Sequence, residues 1–222
     1  MRRPVVTKVR AVVAATALLL LTACGVHPGV AAIVGEQSIP TSEVETFARG
    51  FCAFSAQPGR PPIAMSQLLG QSVDSLVSNE LQSRYIEAKG IGYDHAALAQ
   101  AMSNVEARAK QLDPSVRDDF LAIVKKIVIN ALSQEALGMA SLKAKGTKDA
   151  TSDDAAAEGQ KLFAAWAKSA AIKVTVDPRY GASGESAGAQ GSLSRSVSKV
   201  AQAAATGGDA VTLPAAQVCI SK

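Results

Sequence analysis

The chain has 222 residues, a formal net charge of +4, 48% hydrophobic residues and 4% aromatic ones. Four of its cations, Arg2, Arg3, Lys8 and Arg10, fall in the first ten residues, and beyond residue 23 the 19 Lys and Arg balance 19 Asp and Glu, so the basic character belongs to the leading segment and gives no support for nucleic-acid binding by the body. The 199 residues after position 23 suffice for one domain with a sizeable core, and scarce aromatics with abundant alanine point to a helical core of Leu, Val, Ile and Ala.

Residues 11–21, which follow the cationic start, form an uncharged apolar run, the layout of a signal peptide. The run is too short to span a bilayer, because a transmembrane helix needs about 20 apolar residues. It ends in Leu21-Thr22-Ala23-Cys24, which resembles the bacterial lipobox, where a cysteine is lipidated before a peptidase cuts ahead of it. The resemblance implies a lipoprotein signal peptide over residues 1–23, acyl chains of the palmitate kind on Cys24 and a lipidated tether over residues 24–30. It also implies a place on the extracytoplasmic face of the cell membrane. The alternative is an ordinary secretory signal with an incidental cysteine. Arg2-Arg3 is followed by Pro4-Val5-Val6-Thr7, which lacks a twin-arginine consensus.

Residues 31–39 (AAIVGEQSI) read as a short strand with a Gly-Glu turn. A helix follows, with Ser42 and Glu45 as a capping box and Pro40 ahead of it. It runs to about Phe54 and puts Val44, Phe47, Phe51 and Phe54 on one apolar face, after which QPGRPP over residues 57–62 breaks the chain. The second helix, Met65–Lys89, carries Met65, Leu68, Leu69, Val73, Leu76, Val77, Leu81 and Tyr85 as a continuous stripe and stops at Gly90.

Asp94 caps a third helix through about Leu112, and Asp113-Pro114 restarts the chain as N-cap and first helical residue. The fourth helix bears Val116, Phe120, Ile123, Val124, Ile127, Val128, Ala131 and Leu132, ends near Gly146 and is expected at the centre of the bundle. A fifth starts at Thr151 or Ser152 and carries Leu162, Phe163, Trp166 and Ala170. In residues 171–181, Ile172, Val174 and Val176 alternate with Lys173 and Thr175, a strand whose evident partner is the segment over 31–39.

The fold class is therefore mainly α, a bundle of about five helices closed by a small two-stranded sheet from the two ends of one domain over residues 31–181. Residues 182–222 are Gly/Ser/Ala-rich, poor in large apolar groups, and read as a flexible tail.

With Cys24 assigned to lipid, Cys52 and Cys219 remain, in a compartment where disulfides persist. A bond between them would close a very long loop and tie the tail to the core; the alternative is two unrelated thiols. The spacing has no metal-site pattern, and His27 and His95 read as surface or loop residues, so neither a metal nor a cofactor is expected.

Three stretches together carry a resemblance. GVAAIVGEQSIPTSEVETF (29–47) is similar to the opening of the SurA and PrsA type of extracytoplasmic folding factors, and LLGQSVDSLVSNELQSRYIEAKGI (68–91) with GYDHAALAQAM after it resembles their following helices. VTVDPRYG (174–181) resembles the strand that ends the equivalent domain in actinobacterial lipoproteins of this group. The match covers roughly residues 29–181. It departs at Val34-Gly35-Glu36, where the family has Val-Asn-Gly, so a different turn is expected there.

The resemblance implies a mostly helical SurA N-terminal-like chaperone domain that binds unfolded or newly exported polypeptides. Relatives that isomerise prolyl bonds carry an inserted parvulin domain of about 90 residues. Helical patterns fill residues 92–181 here, so no isomerase activity is expected. G-x-S-x-G, H-E-x-x-H and a phosphate-binding glycine loop are absent, and the pairs Asp118-Asp119 and Asp153-Asp154 sit near helix starts, where they complement the dipole. The chain is therefore expected to be no enzyme.

Binding in its place would use a groove between amphipathic helices, with Phe51, Phe54, Met65, Met102 and Met139 as candidate client contacts and core filling as the competing role of each. The rival reading is a structural or assembly lipoprotein that docks one dedicated partner.

Overall fold

A computed structural model describes residues 28–55, 63–180, 214 and 217–219. The signal segment, Cys24, most of the tether with His27, the break over residues 57–62 and most of the tail lie outside the described residues.

The chain enters through strand β1 (Val30–Val34), turns at Gly35-Glu36 and returns as β2 (Gln37–Pro40). Val34 pairs with Gln37, so the connection has two residues, and its first is Gly35 at φ 61, a conformation that glycine adopts without strain.

Helix α1 (Thr41–Ser55) follows directly from β2. It starts at Thr41, whose amide donates to the Gly29 carbonyl (2.9 Å), so Ser42 lies inside the first turn rather than at the cap. The hairpin, by bringing Gly29 to the helix start, supplies an acceptor that a capping side chain would otherwise provide.

The other helices obey local signals more closely. Helix α2 (Met65–Lys89) ends at Gly90, left-handed at φ 63, whose amide donates to the Ile86 and Glu87 carbonyls. Helix α3 (His95–Ala109) is capped by Asp94, which accepts from the amides of Ala96 and Ala97, and it stops three residues short of Leu112 because residues 110–112 tighten into a turn. Asp113 caps α4 (Pro114–Ala144) with proline at its first position, and Thr151 with Asp154 forms a reciprocal capping box for α5 (Ser152–Ala170).

Strand β4 (Val174–Val176) lies antiparallel to β1, with Ala32 opposite Val176 and Val34 opposite Val174. The two ends of the domain therefore pair, as the alternating pattern implied. The sheet has the order β2-β1-β4, three strands rather than two, since the segment over 31–39 folds back on itself. A short 3-10 turn, Pro178–Tyr180, follows.

A second sheet has two strands, β3 (Ile63–Ala64) and β5 (Val218–Cys219), again antiparallel. It joins the start of α2 to the C-terminal tail. Cys52 and Cys219 are disulfide-bonded, with Cα atoms 5.6 Å apart across 167 residues of sequence.

The core fills the space between the sheet and three helices. Ala32 and Val34 of β1 meet Val44 and Phe47 of α1, Val73, Leu76 and Val77 of α2, and Phe120 and Ile123 of α4, all buried. Helix α4 touches each of the other four helices, which gives it the central place its length and apolarity suggested. A second aromatic contact joins α2 to α5: Tyr85, 1% exposed, has the Trp166 ring at 5.2 Å and the Phe163 ring at 5.7 Å.

Buried polar groups are tied across helices. The two N–H of Asn130 Nδ2 on α4 are shared among three acceptors of α2, the Asn79 side-chain oxygen (2.7 Å), the Asn79 carbonyl (3.0 Å) and Ser83 Oγ (2.8 Å), which ties α4 to α2.

Two carboxylates link this architecture to pH. Glu158 of α5 accepts from Lys145 Nζ and from Ser141 Oγ (2.8 Å) of the α4 end, and Asp177 accepts two side-chain bonds from Arg179 (2.9 and 2.6 Å). The Lys145 bond, followed by that of Ser141, holds Glu158 below the usual 4.5; the Arg179 bonds hold Asp177 below 3.8. Because both are lowered in the fold, their stabilisation is fully present above those ordinary values and is lost as the pH falls through the lowered ones. The urea midpoint of the domain is expected to fall on acidification below about pH 4. Lys145→Ala should flatten that decline, and an unchanged acid slope would contradict the assignment.

Candidate functional site

Phe51 is the one large apolar side chain that is exposed among the described residues, at 43%. It sits on α1 one turn beyond Phe47, to whose ring it lies at 6.2 Å, and both line an open groove of roughly 370 Å³ between α1 and α2. Leu68 and Ser72 complete the floor, and Gln71, Asp74 and Ser75 form a polar wall. Ser72 satisfies its hydroxyl on the Leu68 carbonyl (2.8 Å), so the floor presents little polar demand. An apolar floor, one exposed ring at the rim and a polar opposite wall suit a segment that buries a side chain and hydrogen-bonds beside it.

The other residues expected to touch clients are spread over the molecule. Phe54 packs against the Phe120 ring at 5.2 Å and is covered by the Arg108 guanidinium, which lies 4.5 Å from the ring centre and donates to the Phe54 carbonyl (2.7 Å). Met102 is buried on α3, at 6% exposure. Met139 is half-buried next to Gly138, where α4 meets α5. Met65 packs with Ile63 and Leu69 around Cys219, on the same α1–α2 seam as Phe51. The five therefore do not form one groove; Phe51 and Met65 flank one seam, with Leu68 between them.

The spacing of three and four puts Val44, Phe47, Phe51 and Phe54 of α1 on one face without separating them. Gly50 is what divides their fates, because the absence of a side chain there lets the Phe120 ring seat directly on the α1 backbone. Phe47 and Phe54 turn to that ring, and Phe51 is left at the edge. The polar wall was missed for a simple reason: Gln71, Asp74 and Ser75 lie off the apolar stripe of α2 and read as solvent-facing.

A second hollow, roughly 270 Å³, lies between α1 and α4 and is lined by Ser42, Glu43, Thr46, Asp119, Ala122 and Ile123. Burial pushes the Glu43 carboxyl above the usual 4.5, with Lys126 opposing and the nearby Glu80 adding to the rise. Glu80 itself is engaged by Lys126 at 3.2 Å and Arg84 at 3.4 Å. Of the acid pairs singled out in the sequence, Asp153 and Asp154 are in the first turn of α5, where the helix dipole favours them, and Asp154 is committed to the Thr151 cap, whereas Asp118 and Asp119 lie beyond the first turn of α4, with Asp119 lining this hollow.

Among the described residues no group of three or more His, Cys, Asp or Glu side chains could hold a metal ion, and no helix is long and apolar enough to cross a membrane. His95 is exposed at the start of α3 beside the Tyr93 ring, 4.7 Å away. No protein-family model, curated protein or solved structure matches this chain.

Proposed function

We propose that this chain is a membrane-anchored, extracytoplasmic lipoprotein of the SurA and PrsA type that binds unfolded or newly exported polypeptides and carries no isomerase domain. The observation that carries the reading is Phe51, exposed at the rim of an apolar-floored groove that the helices leave open. An exposed ring next to a buried one offers a client side chain an aromatic surface at little cost in ordering. Binding of this kind is weak, reversible and independent of ATP. Acyl chains on Cys24 hold the body at the membrane where new chains emerge, with more than one chain needed for firm anchoring.

A second reading, a structural lipoprotein that docks one dedicated partner, draws on the polar wall of the same groove, since Gln71, Asp74 and Ser75 suit directed hydrogen bonds more than promiscuous contact. Suppression of aggregation of a denatured client separates the two. The full chain is expected to suppress it, and Phe51→Ser should weaken client binding about fivefold or more. No suppression, together with one stoichiometric partner in a membrane pull-down, would establish the dedicated partner instead. Turnover in a peptide proline-isomerisation assay would overturn the assignment of no reaction. Labelling cells with radioactive palmitate should mark the wild-type chain and leave Cys24→Ala unlabelled; equal labelling of both would remove the anchor from the proposal.

A further inference from the structure

The C-terminal strand occupies a place that an extended peptide from another chain could take. β5 has only Val218 and Cys219, and it pairs antiparallel with Ala64 and Ile63 at the mouth of the α1–α2 seam. Cys219 is 5% exposed and rests on Ala48 and Leu68, with Ile63, Met65 and Leu69 around it. The seat under β5 is thus apolar and small, with a strand edge along one side. Leu68 also floors the groove below Phe51, so the seat and the groove share one wall residue.

We infer that this seat is a strand-accepting peptide site, filled in the oxidised protein by the chain's own C-terminus and latched by the Cys52–Cys219 bond. The inference rests on the client-binding reading above and supplies its regulation. A two-residue ladder is too short to hold a distant tail by itself. Without the bond, β5 competes with any incoming strand only through the effective concentration that its connection to Tyr180 provides. The occupant that fits is an extended segment antiparallel to β3 with a small apolar residue, such as alanine, valine or cysteine, where Cys219 points inward.

Opening the latch needs a dithiol of the extracytoplasmic space as reductant. Its thiolate attacks Cys52 Sγ, on the half-buried partner, and expels Cys219 as thiolate, which takes a proton. The donor's second thiol then displaces Cys52, so the donor ends as a disulfide and both cysteines as thiols. Two electrons and two protons pass to the protein.

The test compares the full chain oxidised and reduced by dithiothreitol, using as probe a fluorescent peptide of residues 214–222 with alanine at position 219. Fluorescence anisotropy is expected to show binding at least tenfold tighter to the reduced chain. Hydrogen exchange at Ile63 and Ala64 should accelerate on reduction and slow again with peptide, while α4 amides lose no more protection than the fall in global stability on reduction accounts for. Equal peptide binding in both states, or unchanged exchange at Ile63 and Ala64, would overturn the latch. Acceleration at Ile63 and Ala64 no larger than that of the α4 amides would also overturn it, because the bond would then act only on the whole fold. An aggregation assay on the same two samples keeps the readings apart: a latch that opens with no client protection in either state sinks the chaperone reading alone, and equal protection with a closed β5 sinks the latch alone.

Discussion

Gly138→Ala is expected to destabilise the domain by about 2 kcal/mol or more, as an overpacked contact does. In an open helix the same change would add stability, by about 1 kcal/mol from propensity alone. The sign reverses because α4 and α5 cross backbone to backbone at this point. A methyl on Gly138 would overlap the Ala155 carbonyl and stand 2.7 Å from the Gly159 amide nitrogen, and one on Gly159 would overlap the Gln134 carbonyl.

Peptide groups inside two helices cannot turn aside, so one helix must move bodily. Gly50→Ala, by contrast, meets the Phe120 ring, a side chain with its own rotatable bonds, and should cost less. Thermal unfolding should show Gly138→Ala melting about 4–8 °C below the wild type, by the usual scaling for a domain of this size. A rise in Tm, or a larger loss at Gly50 than at Gly138, would show that the crossing is looser than these distances imply.

Removal of the disulfide should have an effect of similar size or greater. The loop it closes spans 167 residues, for which chain entropy sets a bound of about 5 kcal/mol at 25 °C. Cys52→Ala with Cys219→Ala is expected to lower unfolding free energy by about 3 kcal/mol, since native strain and structure in the denatured chain take back part of that bound. The loss arises chiefly in the unfolded state, which gains freedom, while the folded body keeps its sheet and its α4 contacts. Urea denaturation of the oxidised wild type, the reduced wild type and the double variant checks this: the last two should agree with each other and fall below the first. A double variant as stable as the oxidised wild type would contradict the assignment.

The lowering of Glu158 acts at the same α4–α5 junction as the glycine crossing. Its bonds to Lys145 and Ser141 close the end of the interface beyond Gly138. Acid protonation and a methyl at Gly138 therefore weaken neighbouring parts of one contact, and their effects should not add independently.

Much of this fold was legible in the sequence because its stops and starts are local chemistry. Asp94, Asp113, Thr151 and Gly90 act on amides and carbonyls within a few residues, and the structure uses all four. The apolar stripe of α2 and the alternation at Val174 and Val176 likewise reflect the 3.6- and 2-residue periods of the elements that bear them. The long-range bond between Cys52 and Cys219 was one of two readings the sequence left open, the other being two unrelated thiols, and the folded chain brings the two together.

What the sequence could not determine depends on which surfaces meet. The third strand of the sheet, the pairing of β5 with β3, the burial of Met102 and the division between Phe54 and Phe51 follow from the tertiary placement of groups distant along the chain. Phe51 differs from its neighbours only because Gly50 admits the Phe120 ring, and Gly138 is required only because a carbonyl of α5 arrives beside it. Helix periodicity names a face, but only packing decides how much of that face is covered. The groove beside Phe51 is the part that packing left open.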